Sequence, residues 1–266
     1  MTDRTYGTRL PGMTTETLAG KLIVVEGADG SGRTTEVALL KDFLEVEGHA
    51  VVDTGLRRSD LVSAEIDRAK QGHTLGATTL ALLYAVDFAD QLENKIIPAL
   101  TAGSTVLADR YIYTLMARAI ARGASREWAR VLYGFALRPD LVVFLDARPE
   151  ILLHRAISKY GSLDYWESGM DLSLSRDLFE SFFLYQDRLS REFEWMAGEY
   201  SFHRVDANRT PEQVHADVLE RVRPLYGPVP AADPPKSGGK ARSPVSAARG
   251  RAASGSRARR GARPPE

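Results

Sequence analysis

The sequence predicts an α/β fold, a doubly wound, five-stranded parallel sheet flanked by helices. Three observations carry that prediction. An apolar run, Leu22 to Glu26, ends in a glycine-rich loop. Four further short apolar runs follow it along the chain, and stretches of helical periodicity separate the runs. Strands that alternate with helices run parallel and join through right-handed crossovers, because each helix must pack back onto the sheet. In such sheets ligands sit at the carboxyl ends of the strands.

Each element has its own signal. Leu22 to Glu26 lacks polar alternation and reads as a strand buried on both faces. Val37, Leu40, Phe43 and Leu44 recur at helical spacing up to Gly48, a C-terminal stop. The stretches AVVDT (50–54), STVLAD (104–109), DLVVFLD (140–146) and SFHRVD (201–206) supply the other strands. The longest helical stretch runs from about Thr78 to Leu100, with Pro98 near its end. Thr210, Pro211 and Gln213 form a cap, a first-turn proline and a capping-box partner for a last helix. In DLFESFFLYQDRLSREFEWM, residues Phe179, Phe182, Phe183, Phe193 and Trp195 line an amphipathic helix and suit a core or a homodimer surface.

Composition narrows the class. A chain of 266 residues with 44% apolar residues can bury a sizeable core. It has no cysteine, which excludes disulfides, thiolate zinc sites and cysteine nucleophiles and fits a cytoplasmic location. No 18-residue uncharged apolar run and no basic-then-apolar N-terminus occur, so neither a membrane span nor a secretory signal is expected. None of the histidines 49, 73, 154, 203 and 215 stands at metal-ligand spacing with another. Charge is uneven: residues 227–266 hold nine Lys or Arg against Asp233 and Glu266, and the balanced total leaves −7 for residues 1–226. This Pro-, Gly-, Ser- and Arg-rich tail is expected to be disordered. It reads either as a solubilising extension or as a weak, salt-sensitive nucleic-acid contact. Residues 1–18 are expected as a flexible arm, leaving 19–226 as the folded domain.

The stretch VVEGADGSGRTTE (24–36) matches the phosphate-loop pattern G-x-x-x-x-G-K-[ST] at Gly27, Gly32 and Thr34, with arginine in place of lysine at position 33. Its glycines permit backbone N–H groups to face phosphate oxygens, and the following helix adds its positive end. The candidate phosphate-binding residues are Gly27, Ala28, Asp29, Gly30, Ser31, Gly32, Arg33, Thr34 and Thr35. Arg33 keeps the lysine's charge but carries it on a planar, bulkier fork. The third strand delivers Asp109 and Arg110 to the same sheet edge; Asp109 suits magnesium or its water shell, and Arg110 a phosphate. The loop YGSLDYWESGMDLSLS (160–175) interleaves aromatic and acidic residues and reads as a surface cover or as a lid, placed around 158–176.

Together, VVEGADGSG, the Asp109-Arg110-Tyr111 triplet with Thr114 three residues on, and VVFLD (142–146) followed by Pro149, Glu150 and Arg155 resemble the thymidylate kinase family of nucleoside monophosphate kinases. The helix LLYAVDFADQLENKIIPAL, with Tyr84, is similar to that family's acceptor-side helix, and the likeness covers roughly 21 to 222. The resemblance implies a phosphate-loop kinase that uses Mg²⁺ and ATP to phosphorylate a nucleoside monophosphate, dTMP first of all. It further implies Arg33, Asp109, Arg110 and Lys159 as catalytic residues and Thr34 with Asp109 at the metal. Arg57 and Arg110 would clamp the acceptor phosphate, Asp29 would face the acceptor sugar, and Tyr84 and Phe88 would line the base pocket.

The chain departs from the family pattern on the acceptor side. TGLRRSD (54–60) replaces an Arg-Glu-Pro-Gly segment, Phe88 replaces an arginine that reads the thymine edge, and Arg118 with Ala119 replaces a Tyr-Gln pair. Lys159 is the clearest cation left in a thin lid. The alternatives are a kinase of the same fold with another nucleotide acceptor, and an ATP-binding interaction protein without turnover.

Overall fold

The computed structural model describes residues 4–13, 18–72 and 75–227. Its sheet has five strands: β1 (Leu22–Gly27), β2 (Val51–Gly55), β3 (Thr105–Asp109), β4 (Leu141–Asp146) and β5 (His203–Asp206). Their order is β2-β3-β1-β4-β5, and every pairing is parallel. All five predicted strands are therefore present, within about two residues of their expected bounds.

Placing β1 in the middle explains its sequence. Leu22 and Val24 join the core on one face, Ile23 and Val25 the core on the other, and all four are fully buried. The first face is covered by α3 (Ala77–Gln91), α5 (Ile112–Ala121) and α8 (Leu178–Glu199). The second is covered by α1 (Arg33–Val46) and α9 (Pro211–Val222), whose capping box at Thr210 and Gln213 forms as expected. The predicted long helix is α3, a π-helical turn (Leu92–Ile96) and α4 (Ile97–Thr101) in succession. Pro98 sits in the first turn of α4, where it lacks no needed donor. The remaining helices are α2 (Ser63–Gly72), α6 (Arg126–Leu132) and α7 (Pro149–Tyr160).

The aromatic run of α8 serves mainly the core: Phe182 and Phe193 are buried, and Phe193 stacks on Phe144 of β4 at 5.1 Å, whereas Phe179 is exposed. Among the described residues no helix is long and apolar enough to cross a membrane.

The N-terminal arm differs from expectation. Arg4 pairs with Asp140 at 3.2 Å and donates to the Leu18 carbonyl at 3.1 Å, while Thr5 bridges Leu137. The hydroxyl of Tyr6 meets that of Tyr113 at 2.6 Å, and its ring sits edge-on to Tyr200 at 5.1 Å. A single tyrosine thus docks on an aromatic cluster, and the ion pair fixes the strand beside it. The expected basic tail lies, apart from Gly227, outside the described residues.

Candidate active site

The glycine loop leaves the carboxyl end of β1 and enters α1 through Gly32, whose φ of 102° is open to glycine and strained for other residues. Gly27 has φ 148°, and a Cβ there would lie 2.6 Å from the Ser31 hydroxyl and 2.7 Å from the Leu145 carbonyl. Only glycine fits that close an approach. Arg155 of α7 donates to the carbonyls of Gly30 (3.2 Å) and Ser31 (3.4 Å), and the Ser31 N–H closes a turn onto the Ala28 carbonyl at 3.1 Å.

Arg33 does not project from this loop. Its side chain is 7% exposed; one end of the fork donates to the Gly27 and Ala28 carbonyls. Its Nε donates to Asp109 Oδ1 at 3.0 Å, and a second nitrogen lies 3.7 Å from Asp29 Oδ1. Thr34, the next residue, donates its hydroxyl to Asp109 Oδ2 at 2.9 Å. One carboxylate from β3 therefore organises both the loop cation and the loop hydroxyl. This hydroxyl–carboxylate pair is hard-oxygen chemistry of the kind that suits magnesium bound through phosphate and water oxygens. Among the described residues no group of three His, Asp or Glu could hold a metal unaided.

Arg110 follows β3 in the left-handed region, at φ 72°, and Arg57 follows β2 at φ 58°. Such conformations cost roughly 1–3 kcal/mol each unless the surroundings hold them. Two carboxylates do so. Glu26, fully buried, accepts from the backbone N–H of Tyr111 (2.8 Å) and of Thr114 (3.2 Å), and from the Thr114 hydroxyl (2.5 Å). Burial pushes its carboxyl above the usual range. Asp87 of α3 accepts from the N–H groups of Arg57 (2.9 Å) and Ser59 (3.0 Å). Neither carboxylate stood out in the sequence, since nothing local distinguishes a strand Glu or helix Asp that will anchor a distant turn.

The arginines converge on Asp29. Arg110 abuts its Oδ1, and Arg118 of α5 donates to its Oδ2 at 2.8 Å. Even so, the Nε of Arg110 is buried without a hydrogen-bond acceptor among the described residues. Burial first, and the Arg118 cation next, push the Arg110 guanidinium down to about 9. It remains charged at neutral pH, and its buried Nε–H is a donor without a partner among the described residues. Asp29 is thus already engaged by guanidinium groups, rather than waiting free for a sugar hydroxyl.

Two hollows meet here. A large cleft of about 770 Å³ is lined by Asp29, Gly30, Ser31, Gly32, Arg33, Thr34, Thr35, Arg57, Asp109, Arg110, Arg155 and Lys159 among others. A narrow one of about 30 Å³ lies between Lys70, Leu80, Ala81, Tyr84, Leu115 and Arg118, under Trp166. Glu167 borders both. Of the sequence candidates, the cleft gathers all but Gly27, Ala28, Tyr84 and Phe88. The first two hold Arg33 by their carbonyls, and Tyr84 lines the narrow cavity.

Phe88 is a correction. It is 4% exposed, lines neither hollow, and packs edge-on to Tyr111 (5.0 Å) and tilted against Phe135 (5.6 Å). An apolar ring on an inward helix face gains more from the core than from a ligand.

The stretch around 158–176 forms the roof. Trp166 donates its indole N–H to the Lys70 carbonyl at 3.1 Å. Arg122 of α5 grips Asp171 through two nitrogens, at 2.8 and 3.1 Å, and donates to the Tyr185 hydroxyl at 2.8 Å. Lys159, which lines the large cleft, holds its ammonium over the Tyr160 ring at 4.9 Å.

A family model described as thymidylate kinase matches residues 25–218 of the chain. The chain belongs to the thymidylate kinase family. It is 34% identical over 202 residues to a probable thymidylate kinase 2 of Saccharolobus solfataricus, covering 76% of this chain and 94% of that one. A thymidylate kinase of Shouchella clausii is 33% identical over 215 residues, with 76% and 94% covered. One of Ruegeria pomeroyi is 34% identical over 212 residues, again with 76% and 94% covered. The thymidylate kinase match spans both hollows and the roof between them.

Proposed function

We propose that this protein transfers the γ-phosphoryl group of ATP to dTMP, giving dTDP and ADP. The observation that supports it best is the convergence at one sheet edge of the glycine loop, the Asp109–Thr34 pair and the unpaired Nε–H of Arg110. Such a site positions and neutralises phosphates, which is most of what phosphoryl transfer needs.

The loop N–H groups of residues 27–35 hold the β and γ phosphates. Arg110, backed by Arg57, holds the acceptor phosphate in the shared cleft. An acceptor phosphate oxygen attacks the γ-phosphorus; that O–P bond forms as the bond to the β–γ bridging oxygen breaks, and ADP leaves. Arg33 exchanges a loop carbonyl for phosphate oxygens and balances the charge that develops there. Thr34 and Asp109 would hold Mg²⁺, which would offset the negative charge of the phosphates during transfer. The base enters the narrow cavity beside Tyr84, and its small size requires Trp166 to lift first. Residues 19–226 form the kinase domain, with the lid around 158–176 and the N-terminal segment docked on it.

A second reading, another nucleotide acceptor, is favoured by Arg118 in the acceptor cavity. Measuring ADP release with ATP, Mg²⁺ and a panel of nucleoside monophosphates tests both. Turnover highest with dTMP is expected. Preference for another monophosphate would replace the acceptor, and no ADP release with any would sink the kinase reading.

A further inference from the structure

We propose that Lys70, at the end of α2, is the specificity-determining residue that reads the carbonyl edge of the acceptor base. The inference rests on placing the base in the narrow cavity. The floor of that cavity is apolar, made of Ala77, Leu80, Ala81, Leu115 and Ala119. Its polar groups are few, and most are spent. Tyr133 donates to the Ala81 carbonyl at 3.2 Å, Arg118 holds Asp29, and Arg122 holds Asp171 and Tyr185. Phe88 is sealed in the core and can read nothing.

Lys70 is different. Its ammonium has no hydrogen-bond or ion-pair partner among the described residues, and it lies over the Trp166 ring, 5.9 Å from ammonium to centroid. Its N–H donors thus border a cavity with an apolar floor, where Glu167 is the one carboxylate in the lining among the described residues. A pyrimidine with a carbonyl at its 4-position can accept from them; one with an amino group there presents donors to donors.

The groups around Lys70 give this role a pH signature. Arg118 faces it from α5, Arg57 from the turn after β2, and Asp164 and Glu167 from the roof, where Trp166 also lies; Tyr84 of α3 and Arg122 border the same cavity. Burial, followed by the Arg118 and Arg57 cations, lowers the ammonium to about 8. The charged ammonium, with its third N–H donor, therefore predominates below that value and gives way above it to a neutral amine that can also accept.

Calorimetric titration of dTMP and of dCMP into the intact protein, the parent and Lys70→Met, tests the proposal. The parent is expected to bind dTMP about 10–100-fold more tightly than dCMP, since a site built to pair with one edge leaves buried donors unmatched by the other. Lys70→Met should bring the ratio to about threefold or less by removing those donors. Between pH 7 and 9, dTMP affinity of the parent should fall relative to dCMP. Lys70→Arg should keep the preference and lose the pH dependence, because the guanidinium stays charged. An unchanged ratio in Lys70→Met overturns the proposal, as does a parent that binds neither nucleotide or both equally. Because binding is read without turnover, a protein that prefers dTMP through Lys70 yet releases no ADP would leave this inference standing and remove only the kinase reading.

Discussion

The proposed donor and acceptor sides of the site are built in opposite ways. The donor side is one continuous run, Gly27 to Thr35, opening on a cleft of about 770 Å³. The acceptor side takes Lys70 from α2, Tyr84 from α3, Arg118 from α5 and Trp166 from the roof, around a cavity of about 30 Å³. A phosphate is much the same in every nucleotide and can be met by backbone N–H groups, so a short motif suffices. A base is met by side chains, which can come from anywhere the fold brings together. The difference teaches that one site can draw a single continuous segment for one side and scattered residues for the other.

The largest effect should come from the donor side. Arg33→Ala removes a cation placed where charge develops and is expected to lower kcat about 10²–10³-fold under saturating ATP and dTMP. ATP binding should survive in good part, because the loop N–H groups remain. Rates equal to the parent would show that Arg33 only braces the Gly27 and Ala28 carbonyls, and the contrast between a chemical and a scaffolding side would fail.

The next concerns the carboxylate that joins the sides. Glu26→Ala leaves two backbone N–H groups and the Thr114 hydroxyl without their acceptor. A loss of about 2–3 kcal/mol in chemical denaturation is expected. Glu26→Gln keeps an acceptor for the N–H groups and should lose less. Since burial raises the carboxyl of Glu26, the fold favours its neutral form. That contribution is whole below the ordinary glutamate range and lost as pH rises through the raised value in the fold. The Gln variant, always neutral, should decline less over that window. Parallel pH profiles for parent and variant would contradict this.

On the acceptor side, Trp166→Ala should raise the KM for dTMP about tenfold, the loss of one aromatic contact of about 1.4 kcal/mol, with kcat changed less. A KM that stays put would mean that the roof does not cover the acceptor. The smallest effect is the thymine methyl group. Against an apolar floor it is worth about 1–3 kcal/mol, so dUMP should be used no more than about 200-fold less well than dTMP. Discrimination of four orders of magnitude would reveal a reading group other than those lining the cavity.

The sequence by itself determined the alternation of strands and helices, the central strand and the glycine loop. Each is written in neighbouring residues: apolar runs such as Leu22 to Glu26, the cap at Thr210 and the fixed spacing from Gly27 to Thr34. Only the tertiary structure decided the rest. Glu26 meets Thr114 across 88 residues and Trp166 meets Lys70 across 96, and no local pattern records such pairs. Phe88 and Tyr84 lie one helical turn apart on α3, yet the fold sends one ring to the core and the other to the cavity. Tyr6 showed no periodicity at all and was ordered by an aromatic cluster assembled from distant segments. Local signals report what a segment tends to become; which segments meet follows from burying their apolar faces together, and that is settled only when the whole chain has packed.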